Sequence, residues 1–356
     1  MTPPTLRWGI LGTSFISDVV ARAVAASPGS RIQAVFGRDP SRLAAFAARH
    51  SVPTQHASVA ALLADPSVDV IYVGLPSHAH ASAVALAVRA GKKAVLSEKA
   101  LATTLADARA MTASARAAGD VFLLEGLMYL SHPVMDALVT VLAEGRLGRV
   151  RAVSGYYAAD IAAKANPRGR GTIYNLGCYP VSLLHLVLES AFGGPAAWTG
   201  RRTVLGHGAL ATSEDGVTYA RDAALTVSFH EVGVLATIQS SDSFGNDFGF
   251  TIQGDRASLT FVTNPWLPPT GDSVFRIKTY KGGAVETVTV SGGGMDAFGH
   301  QVKRVEDCVA AGLTEAPRPS PSWDNSVEIM GLLTEWEEDI FARHGEKIQV
   351  HSAGLE

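Results

Sequence analysis

The chain has 356 residues, 47% of them apolar and 18% charged, and a formal net charge of −3. That length exceeds one compact core and suits two domains, while the balance is that of a globular protein with a large buried interior. No stretch concentrates lysine and arginine, so neither nucleic acid nor an anionic membrane surface is expected as a partner. No window reaches the ~20 apolar residues that cross a bilayer, and the start carries no charged leader ahead of an apolar run. Cys178 and Cys308 are the only cysteines, far apart and without metal spacing. Neither a disulfide nor a metal site is expected, and a cytoplasmic location fits.

Strand-like and helix-like segments alternate through the first part of the chain, the sign of a parallel sheet with helices on its faces. Residues 6–11 read as a strand and 16–26 as a helix. Residues 31–36 read as strand two, and 40–49 as a helix with Pro40 in its first turn. A β-branched run at 68–73 is followed by an alanine-rich helix at 77–90, a strand at 94–97, a helix at 105–118 stopped by Gly119, and a strand at 121–124. After Gly126 the rhythm changes. One helix follows Pro133 and another runs over 177–189. Runs with period-two character then come at 224–229, 234–238, 248–252 and 258–262, and helices return at 301–311 and 324–343. The expected fold class is α/β. A Rossmann domain over 1–126 precedes an α+β domain over 127–356 with a large, mostly antiparallel open sheet. The loop 163–171 is the expected mobile segment.

Strand one runs into Gly9-Ile10-Leu11-Gly12-Thr13-Ser14-Phe15-Ile16-Ser17 and a helix. The dinucleotide fingerprint asks for glycine at Gly12, Ser14 and Ser17, and only the first position is met. Gly12 permits a sharp turn, the small Ser14 still admits a pyrophosphate, and the helix N-terminus favours that anion. Strand two ends at Gly37-Arg38-Asp39-Pro40-Ser41-Arg42. An NAD site presents an acidic side chain at this tip for the ribose hydroxyls. Arg38 and Arg42 suit a 2′-phosphate instead, so NADP is expected, with NAD left open by Asp39. The plainer reading of Arg42 is a solvated helix-face residue.

Three further segments carry a family resemblance: Gly74-Leu75-Pro76-Ser77-His78-Ala79-His80, Ser97-Glu98-Lys99-Ala100-Leu101, and Gly171-Thr172-Ile173-Tyr174-Asn175-Leu176-Gly177-Cys178-Tyr179. With the N-terminal loop they resemble the Gfo/Idh/MocA oxidoreductases, and within them the branch of dimeric dihydrodiol and xylose dehydrogenases. The resemblance implies a cofactor site over Gly12, Thr13, Ser14, Phe15, Ile16, Arg38, Arg42, Leu75, Pro76, His80, Glu98 and Lys99. It also implies that Lys99 stands beside the nicotinamide and the reacting oxygen, that Tyr179 exchanges a proton with that oxygen, and that Asn175 bonds a substrate hydroxyl. A lysine at the C-terminal end of a parallel strand points the same way on general grounds.

Three departures stand out. Asn175 occupies the place of the family's carboxylate, and Ala100 replaces a proline. A cis bond before alanine costs about 3 kcal/mol, so the Lys99–Ala100 bond is expected to be trans. Leu130 stands where many relatives carry arginine, and His185 reads as an ordinary helix histidine. Tyr157, Tyr174 and the 168–170 loop are the candidates for the substrate pocket. The expected activity is hydride transfer between NADP and a sugar, inositol or cyclic diol, by a homodimer or larger homo-oligomer. Two alternatives stay open: a dinucleotide-binding sensor without turnover, and an enzyme that holds its cofactor through a net non-redox exchange.

Overall fold

Leu6–Leu11 is apolar except for Arg7, which suits the centre of a sheet buried on both faces, and it forms β1 there. The structure is a computed structural model in which residues 5–162 and 166–350 are described. Next in chain order come α1 (Phe15–Ala26), β2 (Ser30–Phe36), α2 (Pro40–Arg49), β3 (Thr54–His56), α3 (Val59–Ala64), β4 (Val70–Val73), α4 (His80–Arg89), β5 (Ala94–Ser97), α5 (Leu105–Ala118) and β6 (Phe122–Glu125). The chain continues with α6 (Pro133–Ala143), β7 (Val150–Ala159), α7 (Cys178–Phe192), α8 (Ala196–Thr199), β8 (Arg202–Thr212), β9 (Thr218–Phe229), β10 (Val234–Ser241), β11 (Asn246–Gly254) and β12 (Ala257–Phe261). It ends with β13 (Asp272–Thr279), β14 (Val285–Ser291), α9 (Ala297–Ala310) and α10 (Trp323–His344).

The first six strands form a sheet in the order β3-β2-β1-β4-β5-β6, with every neighbouring pair parallel. The winding reverses at β1, so a ligand crevice lies beyond the C-terminal ends of β1 and β4. Sequence reading missed β3 and α3, the first because three polar residues carry no periodic signal. Ser58 caps α3, accepting the Ala61 amide at 3.1 Å.

A single cut between 126 and 127 does not describe the domains. One compact unit runs to Ser131 and includes Phe298–Val327; the other holds His132–Ala297 and Glu328–Val350. The return of 298–327 has a packing cause. Val302, Val305 and Cys308 of α9 share a core with Trp8, Val24 and Tyr72. Glu306 also accepts hydrogen bonds from the hydroxyls of Ser27 and Ser30 at 2.5 and 2.6 Å.

In the second unit eight strands lie in the order β14-β13-β12-β11-β7-β10-β9-β8, antiparallel throughout except for the β7–β10 pair. Strands β7, β8, β13 and β14 were not anticipated; β8 contains Gly206, Gly208, Ala209 and Ala211, which weaken a strand signal. One face of the sheet is covered. There α7 is buried all round from Cys178 to Leu188. Gly206 is pressed against α10, where an added Cβ would stand 2.7 Å from the Trp336 carbonyl oxygen. On the opposite face β10 exposes Leu235, Thr237 and Gln239 in alternation. The centre of the expected mobile loop, residues 163–165, lies outside the described residues.

Candidate active site

The first unit turns sharply after β1 at Gly12, whose φ is +103°. A Cβ there would stand 2.6 Å from the Gly74 carbonyl oxygen, so only glycine lets the ends of β1 and β4 approach this closely. Ser14 caps α1: its Oγ accepts the Ser17 amide at 3.3 Å and donates to the Gly74 carbonyl at 3.2 Å. Ser17 Oγ lies 3.0 Å from Ser14 Oγ. The two serines at the fingerprint's glycine positions thus lock the turn by hydrogen bonds. Thr13, Ser14 and Ile16 are partly exposed and Phe15 is exposed at the helix start, where free amides and the dipole favour an anion.

At the tip of β2, Gly37 faces Thr13: a Cβ there would come within 2.8 Å of Thr13 Cγ2, so a side chain would require that threonine to move. Asp39 caps α2, its Oδ1 accepting the Arg42 amide at 2.9 Å. That carboxylate is therefore engaged by its own helix. Arg38 is exposed, and Arg42 donates to the Thr13 carbonyl at 3.2 Å.

Lys99 follows β5 and is half-buried. Two buried carboxyl groups flank it. Tyr72 donates to Glu98 Oε1 at 2.9 Å and the Lys99 amide to Oε2 at 3.3 Å. Burial pushes the Glu98 carboxyl up, against the Lys99 charge and those hydrogen bonds. Glu125, at the end of β6, accepts the Leu101 amide at 2.8 Å. Burial pushes it up to about 7, opposed by hydrogen bonds from Ser326 and the Leu101 amide.

His80 is fully buried. Its Nε2 lies 2.9 Å from the Leu75 carbonyl, and its Nδ1 lies 3.1 and 3.2 Å from the carbonyls of Ala100 and Leu101. Burial pushes the imidazole below its usual value. Glu98 and His80 were both expected to meet the cofactor. In the first unit both hold the Lys99 bend, because a buried carboxylate or imidazole must find partners nearby. Leu75 and Pro76 stay partly exposed after β4. The Lys99–Ala100 peptide bond is cis, which corrects the expectation of trans. Its surroundings give the reason: His80 holds the Ala100 and Leu101 carbonyls and Glu125 holds the Leu101 amide.

In the second unit, residues Ile173–Gly177 form a π-helical turn that runs directly into α7. Asn175 and Tyr179 lie on it four residues apart. Tyr179 packs edge-on against Tyr157, with ring centroids 5.3 Å apart, and lies 6.2 Å from Trp266. Asn175 Nδ2 donates to Asp242 Oδ2 at 3.2 Å.

Two of the expected pocket residues lie elsewhere. Arg170 is buried in an ion pair with Glu337, its guanidinium 5.0 Å from the Tyr174 ring centroid, and Tyr174 donates to Glu337 Oε2 at 3.0 Å. Burial pushes Glu337 up to about 7 against the pull of Arg170. A buried guanidinium needs a carboxylate, and the pair braces the turn from beneath. Arg168 is exposed, 3.4 Å from Asp215. His185 is buried beside Trp198 with its Nε2 2.6 Å from Glu328. Sequence reading missed Trp266, Asp242 and the bracing role of Glu125. Trp266 sits in a proline-flanked loop without periodicity, whereas Glu125 could have been found as a carboxylate ending a parallel strand.

The first unit thus offers an anion-binding turn and an ammonium at the ligand edge of a Rossmann sheet, and the second a phenol and an amide on one helix start. Residues 6–125 match the oxidoreductase family with an NAD-binding Rossmann fold, and residues 135–260 match the GFO/IDH/MocA C-terminal domain. The chain belongs to the Gfo/Idh/MocA oxidoreductases. It is 28% identical over 326 residues to the trans-1,2-dihydrobenzene-1,2-diol dehydrogenase of Bos taurus, covering 88% of this chain and 90% of that one. Among solved structures, KijD10, a 3-ketoreductase from Actinomadura kijaniata in complex with NADP and TDP-benzene, superposes with a TM-score of 0.78 at 22% identity, covering 94% and 98% of the two chains. Levoglucosan dehydrogenase in complex with NADH and levoglucosan gives 0.76 at 18% identity, covering 94% and 97%. These two share its fold.

Proposed function

We propose that this chain is an NADP-preferring dehydrogenase or reductase that acts on a CH–OH group of a sugar, inositol or cyclic diol. The observation that carries the reading is the pinned bend at Lys99, beside the Gly12–Gly74 approach that suits a pyrophosphate. Gly12, Thr13, Ser14, Phe15 and Ile16 would frame that pyrophosphate, and Leu75 and Pro76 the rest of the dinucleotide. Arg38 and Arg42 would take a 2′-phosphate. Glycine at position 37 offers no carboxylate, and the engagement of Asp39 in its helix cap counts against an acidic contact to the ribose.

When bound, the nicotinamide supplies the hydride acceptor or donor. Lys99 then stabilises negative charge developing on the substrate oxygen. Tyr179 gives or takes the proton at that oxygen, and Asn175 bonds a neighbouring hydroxyl. The bovine relative is named for a cyclic trans-diol, and the two structural neighbours for a keto group and an anhydrosugar. Assembly as a homodimer is supported by the open face of the second unit's sheet, where Leu205 and Leu235 are exposed. The test is absorbance in the reduced-nicotinamide band, with each cofactor against a panel of sugars, inositols and cyclic diols. Turnover with NADP and a member of the panel is expected; binding of NADPH without any turnover would point to a sensor.

A further inference from the structure

Asp242 follows directly on β10 and is 1% exposed. Its backbone is held from two sides: the amide donates to the Arg221 carbonyl at 3.2 Å, and the carbonyl accepts the amides of Ile161 and Ala162 at 3.0 and 2.9 Å. The side chain on this fixed backbone meets the π-helical turn, where its Oδ2 accepts Asn175 Nδ2 at 3.2 Å. An asparagine amide carries donors at one end and an acceptor at the other, whereas a carboxylate oxygen only accepts. The contact therefore decides which way Asn175 faces: its nitrogen meets Asp242 and its Oδ1 is directed away.

We propose that Asp242 is a positioning residue that makes Asn175 a hydrogen-bond acceptor for the substrate hydroxyl beside the reacting carbon. The proposal rests on the reading of Asn175 and Tyr179 as substrate contacts. Asn175 lies in the π-helical turn and Tyr179 in the first turn of α7 that continues it, so both stand at one helix start. A fixed acceptor selects a neighbouring group that donates. A vicinal diol satisfies it, and an ether oxygen in the same place sets lone pair against lone pair.

The experiment compares kcat/KM for trans-cyclohexane-1,2-diol and trans-2-methoxycyclohexanol with NADP. Asp242→Asn keeps the size but offers Asn175 a donor, so the Asn175 amide can reverse and present its nitrogen to the substrate. The diol-to-ether ratio is expected to fall roughly tenfold or more, since a site built around one hydrogen bond discriminates through it. A merely structural loss would lower both rates and leave the ratio alone. Asn175→Ala removes the amide without touching Asp242 and is expected to lower the ratio as well, so the outcome does not hang on the folding of D242N. A ratio that Asn175→Ala lowers and Asp242→Asn leaves unchanged overturns the role of Asp242, and a ratio unchanged in both overturns the substrate contact of Asn175 and the proposal with it. If the unmutated chain oxidises neither alcohol nor any sugar, the functional reading falls and this proposal with it.

Discussion

Arg42 donates through Nη2 to the Thr13 carbonyl oxygen at 3.2 Å, tying the first turn of α2 to the loop that follows β1. The guanidinium is thereby held at the edge where a ribose 2′-phosphate would project, with exposed Arg38 four residues before it.

Cofactor preference follows from that placement. NADPH is expected to bind more tightly than NADH. Arg38→Ala should weaken NADPH by about 1.5–3 kcal/mol, the range for hydrogen bonds to charged groups, and leave NADH nearly unchanged. Fluorescence titration with both cofactors reads this directly. Equal affinities in the unmutated protein would remove the argument.

Glu125 gives the chain a pH signature. In the unfolded chain its carboxyl has the ordinary value of 4.5, and in the fold it stands at about 7. Below pH 4.5 both states hold the proton and the group contributes nothing. Between 4.5 and 7 the unfolded chain releases its proton while the fold retains it, so stability falls as pH rises; above 7 the loss is complete. The full effect is about 3 kcal/mol. Glu125→Gln keeps an oxygen for the Leu101 amide but does not titrate. The stability of the variant relative to the unmutated protein is expected to rise between pH 5 and pH 8 in denaturant melts. A difference that stays level with pH would show that Glu125 ionises freely.

The open sheet face makes the third expectation. Leu205, Leu235 and Val262 are each more than two-fifths exposed, at 42%, 49% and 42%. An open sheet face that carries exposed leucines among polar residues is expected to be covered by a second copy. Sedimentation is expected to show a dimer at micromolar concentration, and Leu235→Lys to shift it toward monomer. A monomer in the unmutated protein at that concentration would end the idea.

Five of the first unit's six strands were legible as short apolar-rich runs that alternate with helical segments, whereas β3, three polar residues, was not. The second sheet was half legible. Strand β10 alternates cleanly, but β8 carries glycines packed against Trp336 and Ile340, a tertiary demand with no local signal. Gly12 and Lys99 could be placed from the sequence, since a turn and a strand end are local facts. His80 could not be assigned its bracing position, because two of its three carbonyl partners, Ala100 and Leu101, come from a separate segment after β5. The cis bond at Lys99–Ala100 was hidden for the same reason: Glu125 and His80, which hold the bend, are remote from it in sequence.

The chemistry is tested at Lys99. Its ammonium follows β5 at the ligand edge, whereas the Gly12 turn and the start of α1 offer the pyrophosphate site separately. Its charge matters chiefly when the substrate oxygen gains negative character, so its loss should appear in kcat and leave cofactor affinity largely intact. Lys99→Met is expected to lower turnover by about 10²–10⁴, the usual cost of removing one electrostatic or acid–base contribution. Tyr179→Phe keeps the ring against Tyr157 and Trp266 and removes only the hydroxyl, so the aromatic packing survives while proton exchange suffers. Its loss is expected to be similar or smaller, since the Lys99 charge remains to stabilise the oxygen. Cofactor titration beside steady-state rates separates the two effects. Near-normal turnover in Lys99→Met would show that another group stabilises the oxygen, and a matching loss of NADPH affinity would show that Lys99 serves the cofactor rather than the reaction.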